Sequence, residues 1–393
     1  GDQMKARFVI CANGTLSKPK LSKIQGMKSF AGHSFHTSRW DYDFTKPDLS
    51  GLADKTVGII GTGASAVQSI PKLGAVAKEL YVFQRTPSSI DIKNDWPTDP
   101  EWAKKLQPGW QAIRRARAMA EPELSAAKQA KRDAMTQEEK VQRQENANID
   151  AMMRIHKRID EIVEDPETAE SLKPFYRQFC KRPCFHNEYL DTFNRPNVTL
   201  VDTQGKGVER ITKKGVVVDG QEYELDCLIY ASGFEVGTDY SRRAGLEIYG
   251  RDGQSLTEIW ADGIRTLHGM HVRGFPNCFV MSNTQSGFTA SYPHLINEQA
   301  VHLVYIIQNG REKGLRVIEA SEEDEAKWAE QCISKARDAG DFFENCTPGY
   351  YNNEGQMSDR SVQNGFYGGG SIEFFKILAN WRGDGQLEGL ETH

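Results

Sequence analysis

The chain has 393 residues, of which 38% are hydrophobic and 26% charged, with a formal net charge of -5. That length allows two or three domains with well-buried cores, and the mixed charges are those of a globular protein. The slight acidity offers no basic field for nucleic acid, and the absence of an apolar run of about 18 residues predicts no transmembrane helix, so neither kind of partner is expected.

Along the chain, Arg7 to Ala12 reads as a short apolar strand that runs into the turn pair Asn13-Gly14. After a loop containing proline and lysine comes Phe30-Ala-Gly32-His-Ser-Phe-His36-Thr-Ser-Arg-Trp40-Asp41. Val57 to Ile60 is a second apolar strand, and it leads into Gly61-Thr62-Gly63-Ala64-Ser65-Ala66. This is a dinucleotide fingerprint: Gly61 and Gly63 allow a tight turn and close backbone approach to a pyrophosphate, and Ala66 lets the next helix pack on the sheet. The helix is expected from about 64 to 72, with Val67 and Ile70 at helical spacing and Pro71 and Gly74 ending it. Leu80 to Phe83 then forms the next strand of a βαβ unit.

The texture changes between about 92 and 178, where charge, alanine and a near absence of glycine predict a helical insertion with solvated faces. Residues 197–201, 215–219 and 225–230 alternate with turn residues as a β-meander would, and the last run continues into Ala231-Ser232-Gly233-Phe234. From 236 onward strands, as at 278–281, mix with helices, as at 297–308 and 373–381. Seven cysteines, at 11, 180, 184, 227, 278, 332 and 346, are scattered and odd in number. They read as reduced intracellular thiols, and none has the spacing of a metal site.

The strand after the fingerprint indicates which dinucleotide is bound. A site for NAD places an acid about twenty residues after the glycines to hold the ribose 2′-hydroxyl, whereas arginine suits a 2′-phosphate. Here the strand ends Gln84-Arg85-Thr86, with no acid. Arg85 can make charge-assisted hydrogen bonds to phosphate and Thr86 can add a hydroxyl, which favours NADPH.

Taken together these segments resemble the type I Baeyer–Villiger monooxygenases. Phe30, Gly32, His36, Trp40 and Asp41 fit the pattern F-x-G-x-x-x-H-x-x-x-W-[PD] at every fixed position. Gln84-Arg85-Thr86 is similar to the family's Q-R-T segment, and Lys181-Arg182-Pro183 with Tyr189, Thr192, Asn194 and Asn197 is similar to its K-R-P…Y-x-T-[FY]-N-x-x-N-V region. Gly274 to Asn277 and Gln285-Ser286-Gly287-Phe288 resemble a stretch beside flavin and substrate, although Asn283 and Thr284 stand where many members have Gly-Pro. Cys346 to Gly355 resembles a mobile loop in which Tyr350 and Tyr351 replace a cofactor-contacting tryptophan.

The resemblance implies an α/β, two-dinucleotide-binding-domain flavoprotein fold. It would comprise a Rossmann-like NADP domain of 15–91 and 179–230, a helical insertion of 92–178, and a partial FAD domain of 1–14 and 231–393. The cofactors would be FAD and NADPH, and the substrates a ketone and O2. One oxygen atom is inserted beside the carbonyl through a flavin C4a-peroxide, giving an ester or lactone. Arg182 would be the catalytic cation, Lys181 a cofactor ligand, and the His36 motif a domain-gating element. The FAD fingerprint that the family carries upstream is not in this sequence, so these residues alone are expected to bind FAD weakly and to be inactive. Two other readings compete: a flavin N- or S-oxygenating monooxygenase, and a non-catalytic nucleotide-binding or redox-sensing protein. A cytoplasmic location is expected, and no oligomeric state is read.

Overall fold

Apolar, β-branched runs too short to be helices and too apolar to alternate suit strands covered on both faces, and such strands pair in parallel. The chain follows this rule. The computed structural model describes residues 2–21, 23–119, 134–289, 291–356 and 359–393, and its contacts divide the chain into two units. One consists of Pro19–Lys105 and Pro122–Phe234, and the other of Gly1–Lys18, Leu106–Glu121 and Glu235–His393.

The Pro19–Phe234 unit is built on five parallel strands in the order His33–His36, Cys227–Tyr230, Thr56–Ile60, Glu79–Gln84, Val198–Asp202. One face is covered by the Ala64–Val76 helix and the long Gln137–Ile162 helix, which contribute Val67, Ile70, Leu73, Ile155 and Ile159 to a core with Val57, Ile59, Leu80 and Val82. The other face, through Phe83, Val201 and Leu228, packs on a small antiparallel sheet of Arg210–Ile211, Gly215–Val218 and Gln221–Glu224.

Two expectations are corrected here. The fingerprint helix does not stop at Pro71 and Gly74: both lie inside it and are buried. Burial of Ile70, Pro71 and Leu73 against the sheet outweighs the backbone hydrogen bond that proline cannot make. Gly74 is a packing position, since a Cβ there would lie 2.9 Å from Thr192 Cγ2 and 3.0 Å from Val198 Cγ2. Nor do 197–201, 215–219 and 225–230 form one meander. The first and last join the parallel sheet, and the middle one forms a hairpin closed by Asp219-Gly220, both at positive φ. An Asp-Gly pair is the ordinary signal for such a two-residue turn.

The other unit pairs Val9–Cys11 in parallel with Cys278–Val280, and Ile318–Ala320 antiparallel with Leu390–Thr392. Its core is mainly helical, with Leu295, Leu303, Trp328, Cys332, Phe374 and Leu378 from the Tyr292–Glu312, Glu322–Glu344 and Gly370–Asp384 helices. Cys11, Cys184, Cys227, Cys278 and Cys332 are free thiols, whereas Cys180 and Cys346 are not, so the reading of seven reduced thiols holds for five. No helix among the described residues is long and apolar enough to cross a membrane.

Candidate active site

In an open parallel sheet, ligands bind beyond the carboxyl ends of the strands. Four neighbouring strands of the Pro19–Phe234 unit end there in the segments singled out from sequence: His36, then Ala231-Ser232-Gly233, then Gly61-Thr62-Gly63, then Arg85-Thr86. Parallel pairing brings them to one edge although 195 positions of sequence separate His36 from Ala231.

The two glycines at this edge do different work. Gly61 has φ +108°, and a Cβ on it would lie 2.7 Å from the Ala231 carbonyl oxygen, so it is required for the turn to pass the adjacent strand. A Cβ on Gly63, in contrast, would meet nothing within 4 Å. Gly63 caps the 13-residue Ala64–Val76 helix, whose N-terminus has no side-chain acceptor. That is what an anionic pyrophosphate needs. Ala66 is fully buried on the sheet side, as the fingerprint requires.

Hydrogen bonds fix the geometry. Thr62 Oγ1 donates to the Thr86 carbonyl at 2.8 Å and Ser88 Oγ donates to the Thr62 carbonyl at 2.6 Å, tying the glycine turn to the Arg85 loop. Arg85 is exposed beyond the strand end, and Thr86 is half-buried.

The Arg182 segment is held by the same loop. Tyr176 donates its hydroxyl to the Pro87 carbonyl at 2.9 Å and accepts from the Ser89 N–H at 3.1 Å, and Cys184 N donates to the Ser89 carbonyl at 3.0 Å. Short parallel pairing of Ile90–Asp91 with Cys184–Phe185 completes the attachment. Lys181 Nζ lies 5.6 Å from the centre of the Tyr176 ring. Arg182 is exposed, as are the aromatics Phe179 and Phe185 that flank it in sequence. Ser88, Ser89 and Tyr176 were not singled out from sequence. Ser88 bonds to Thr62, 26 positions away, and Tyr176 joins Pro87 and Ser89 across 89 and 87 positions, separations that no local pattern encodes.

The remaining motif residues divide by environment. Asp41 accepts from the N–H groups of Asp43 and Phe44 to cap the Tyr42–Thr45 helix and pairs with His33 at 3.0 Å. Those bonds, led by that from Phe44, hold its carboxyl below the usual range. Trp40 donates to Thr45 Oγ1 at 3.0 Å and packs edge-on to Phe35. Phe30 packs beside the small antiparallel sheet, and Gly32 passes so close to the Asp226 carbonyl that a Cβ would lie 2.7 Å from it. His36 is buried; its Nδ1 is engaged by Ser38, while its Nε2 has no hydrogen-bond partner and its ring meets Phe234 edge-on. Burial lowers its pKa, against a smaller opposing effect of the Gly233 carbonyl.

In the other unit, Gln285 is fully buried at φ +50°. Its Oε1 accepts from Thr266 Oγ1 at 2.7 Å and its Nε2 donates to the carbonyls of Ile264 and Gln363 at 2.7 and 3.1 Å. Ser286 Oγ donates to the Ser282 carbonyl at 2.7 Å, and Gly287 lies under Phe374, which a Cβ would approach to 3.0 Å. Phe288 is half-exposed and stacks on Phe366 at 4.5 Å. Tyr351 is half-buried near Phe343, and Tyr350 lies in the 3-10 turn Tyr350–Gly355.

No family model matches the chain. Pentalenolactone D synthase of Streptomyces exfoliatus is 48% identical over 417 residues, spanning all of this chain and 71% of that protein. A Baeyer–Villiger monooxygenase of Stachybotrys chlorohalonatus is 45% identical, spanning 99% and 66%. The chain belongs to the type I Baeyer–Villiger monooxygenase family. Among solved structures, the polycyclic ketone monooxygenase of the fungus Thermothelomyces thermophila superimposes with a TM-score of 0.87 at 35% identity, covering 99% of this chain and 68% of that one. A steroid monooxygenase bound to NADP gives 0.80 at 26% identity. The fold is therefore that of the two-dinucleotide flavoproteins. As a Baeyer–Villiger monooxygenase the chain is an FAD- and NADPH-dependent enzyme that uses O2 to convert ketones into esters or lactones. This sets aside the N- or S-oxygenating and the non-catalytic readings.

Proposed function

We propose that the Pro19–Phe234 unit is the NADPH-binding half of this enzyme and that the other unit, with its Val9–Cys11 strand and Asn13-Gly14 turn, belongs to the FAD side. The observation that carries this reading is the convergence of the glycine turn, the Ala231–Gly233 turn and Arg85 at the carboxyl ends of adjoining parallel strands. Pyrophosphate would sit over Gly63 on the N–H groups of Ala64, Ser65 and Ala66. Arg85, with Thr86, would read the 2′-phosphate, and Lys181 would add positive charge beside the Tyr176 ring.

Bound FAD, once reduced, supplies the oxygen-activating chemistry. The contribution of this chain's residues is electrostatic and steric. Arg182 keeps its charge at any working pH and would stabilise negative charge developing on the carbonyl oxygen of the ketone. Phe179 and Phe185, exposed aromatics three positions to either side of it along the chain, suit a bulky apolar ketone, in keeping with the likeness to a polycyclic ketone monooxygenase. Because Gln285, Ser286 and Gly287 are engaged inside their own unit, we assign them to positioning the loop before Phe288, with Phe288 and the Tyr350–Tyr351 turn as its substrate-side groups. His36 and its motif serve as a gating corner.

The deciding experiment is Arg85→Gln. One charged hydrogen bond to phosphate contributes about 1.5–3 kcal/mol, so NADPH affinity should fall by about one to two orders of magnitude with NADH affinity unchanged. Equal losses for both would remove Arg85 from the 2′-phosphate site. We further propose a cytoplasmic setting, matched to the NADPH requirement, which cell fractionation would test.

A further inference from the structure

Two of the free thiols are neighbours. In the parallel ladder Val9 lies opposite Cys278 and Cys11 opposite Val280. Side chains alternate along a strand, so Cys11 and Cys278 project from the same face. Both pack on the same cluster, which includes Tyr240, Trp260 and Val280, and each thiol shifts the ionisation of the other. Neither is in a disulfide and both are partly exposed. The remaining free thiols, Cys184, Cys227 and Cys332, are buried.

We propose that Cys11 and Cys278 form a peroxide-responsive thiol pair, a modification site separate from the monooxygenase chemistry, in which Cys11 is the attacking sulfur and Cys278 the resolving one. The Cys11 thiolate attacks hydrogen peroxide, the O–O bond breaks, and Cys11 becomes a sulfenic acid with release of hydroxide. Cys278 sulfur then attacks the sulfenic sulfur; an S–S bond forms, the S–O bond breaks, and the departing hydroxide takes the Cys278 proton. Two thiols and one peroxide give one disulfide and two waters.

The chemistry favours these roles. Donation from the Cys278 thiol stabilises the Cys11 thiolate and lowers its pKa from 9.0 to about 7, while Cys278 is correspondingly raised. Burial pushes Cys184 up to about 11, and Cys227 and Cys332 up to about 12, which leaves them inert by comparison. The ionisable groups around the pair are Tyr240, which donates to Asn13 Oδ1 at 3.0 Å, with Arg243 and Tyr292 beyond it.

The test treats the reduced full chain with a small excess of hydrogen peroxide and maps its peptides without reduction. The expected product is a Cys11–Cys278 linked peptide, lighter by two hydrogens than the two thiol peptides, with Cys184, Cys227 and Cys332 still reduced. Cys278→Ser, which keeps a hydroxyl donor but cannot resolve, should stop at a dimedone-reactive sulfenic acid on Cys11. Cys278→Ala removes the donor as well. Alkylation of its Cys11 by iodoacetamide at pH 7 should slow by about fivefold, because the lost thiolate fraction outweighs the higher nucleophilicity of a more basic sulfur. A missing linked peptide, disulfides distributed over the buried cysteines, or a Cys11 alkylation rate indifferent to Cys278→Ala would each overturn the proposal.

Discussion

The glycine turn at Gly61–Ala66 fits its fingerprint at every fixed position, whereas the loop at Met281–Phe288 departs from its family pattern at Asn283 and Thr284, and the two are opposite kinds of structure. Around Gly63 there is open space and a helix N-terminus without a side-chain cap. Around Gln285 there is none: its side-chain amide is fully engaged, its backbone carbonyl accepts from Trp328 Nε1 at 3.0 Å, and its left-handed backbone is held by that network. A motif match therefore groups residues that border open space with residues that hold the fold. Burial and hydrogen-bond satisfaction separate them.

The comparison is sharpened most by acid. In the unit containing Gln285, His268, His271 and His302 are buried, with ring nitrogens that lack partners, and burial lowers their pKa values to about 4, 3 and 2. In the unfolded chain they bind protons near their ordinary value of 6.5, so their contribution is fully present above that pH and is lost as pH falls from 6.5 toward 4. Each contributes about 1.4 kcal/mol per pH unit in that window, or about 4 kcal/mol per unit for three titrating together. Hydrogen exchange at pH 5 should open peptides around 264–302 well before those of the 56–84 strands. Equal opening would mean that the histidine cluster is accessible to protons while folded.

Gln285→Leu comes next. It leaves the Thr266 hydroxyl and the Gln363 carbonyl without their partner, while the Ile264 carbonyl keeps its bond from Gln363 Nε2; at about 1–3 kcal/mol for each group, a loss of about 2 kcal/mol or more is expected in urea unfolding. NADPH affinity should not change; if it did, Gln285 would belong with the ligand-facing residues after all.

In the intact enzyme, Arg182→Ala should reverse that pattern, leaving stability intact and NADPH-driven flavin reduction present, if slower, while ester formation falls by about a hundredfold or more. Product chromatography run beside NADPH consumption checks it, and undiminished ester yield would refute the assignment.

Gly63→Ala is the smallest change. With nothing near its Cβ, the variant should fold with stability within about 0.5 kcal/mol of the parent, yet bind NADPH about tenfold more weakly, because the methyl occupies the space a pyrophosphate needs. Unaltered NADPH affinity by fluorescence titration would place the pyrophosphate elsewhere.

Local sequence determined much of this protein. The apolar runs specified the strands, the glycine spacing specified the turn after Ile60, and the lack of an acid near Arg85 pointed to NADPH, because each of these depends on neighbouring residues and on backbone sterics. The family patterns identified the activity. Tertiary structure decided the rest. It extended the fingerprint helix through Pro71 to Val76, since burial against the sheet outweighs one absent hydrogen bond. It divided an apparent meander between two sheets, because strand partners are chosen by covered faces rather than by order along the chain. It also separated Arg182, left exposed on a loop fixed by Tyr176, from Gln285, which is enclosed in hydrogen bonds. Whether a motif residue faces a ligand or a neighbouring carbonyl depends on contacts made across many tens of positions, and no local pattern of residues records them.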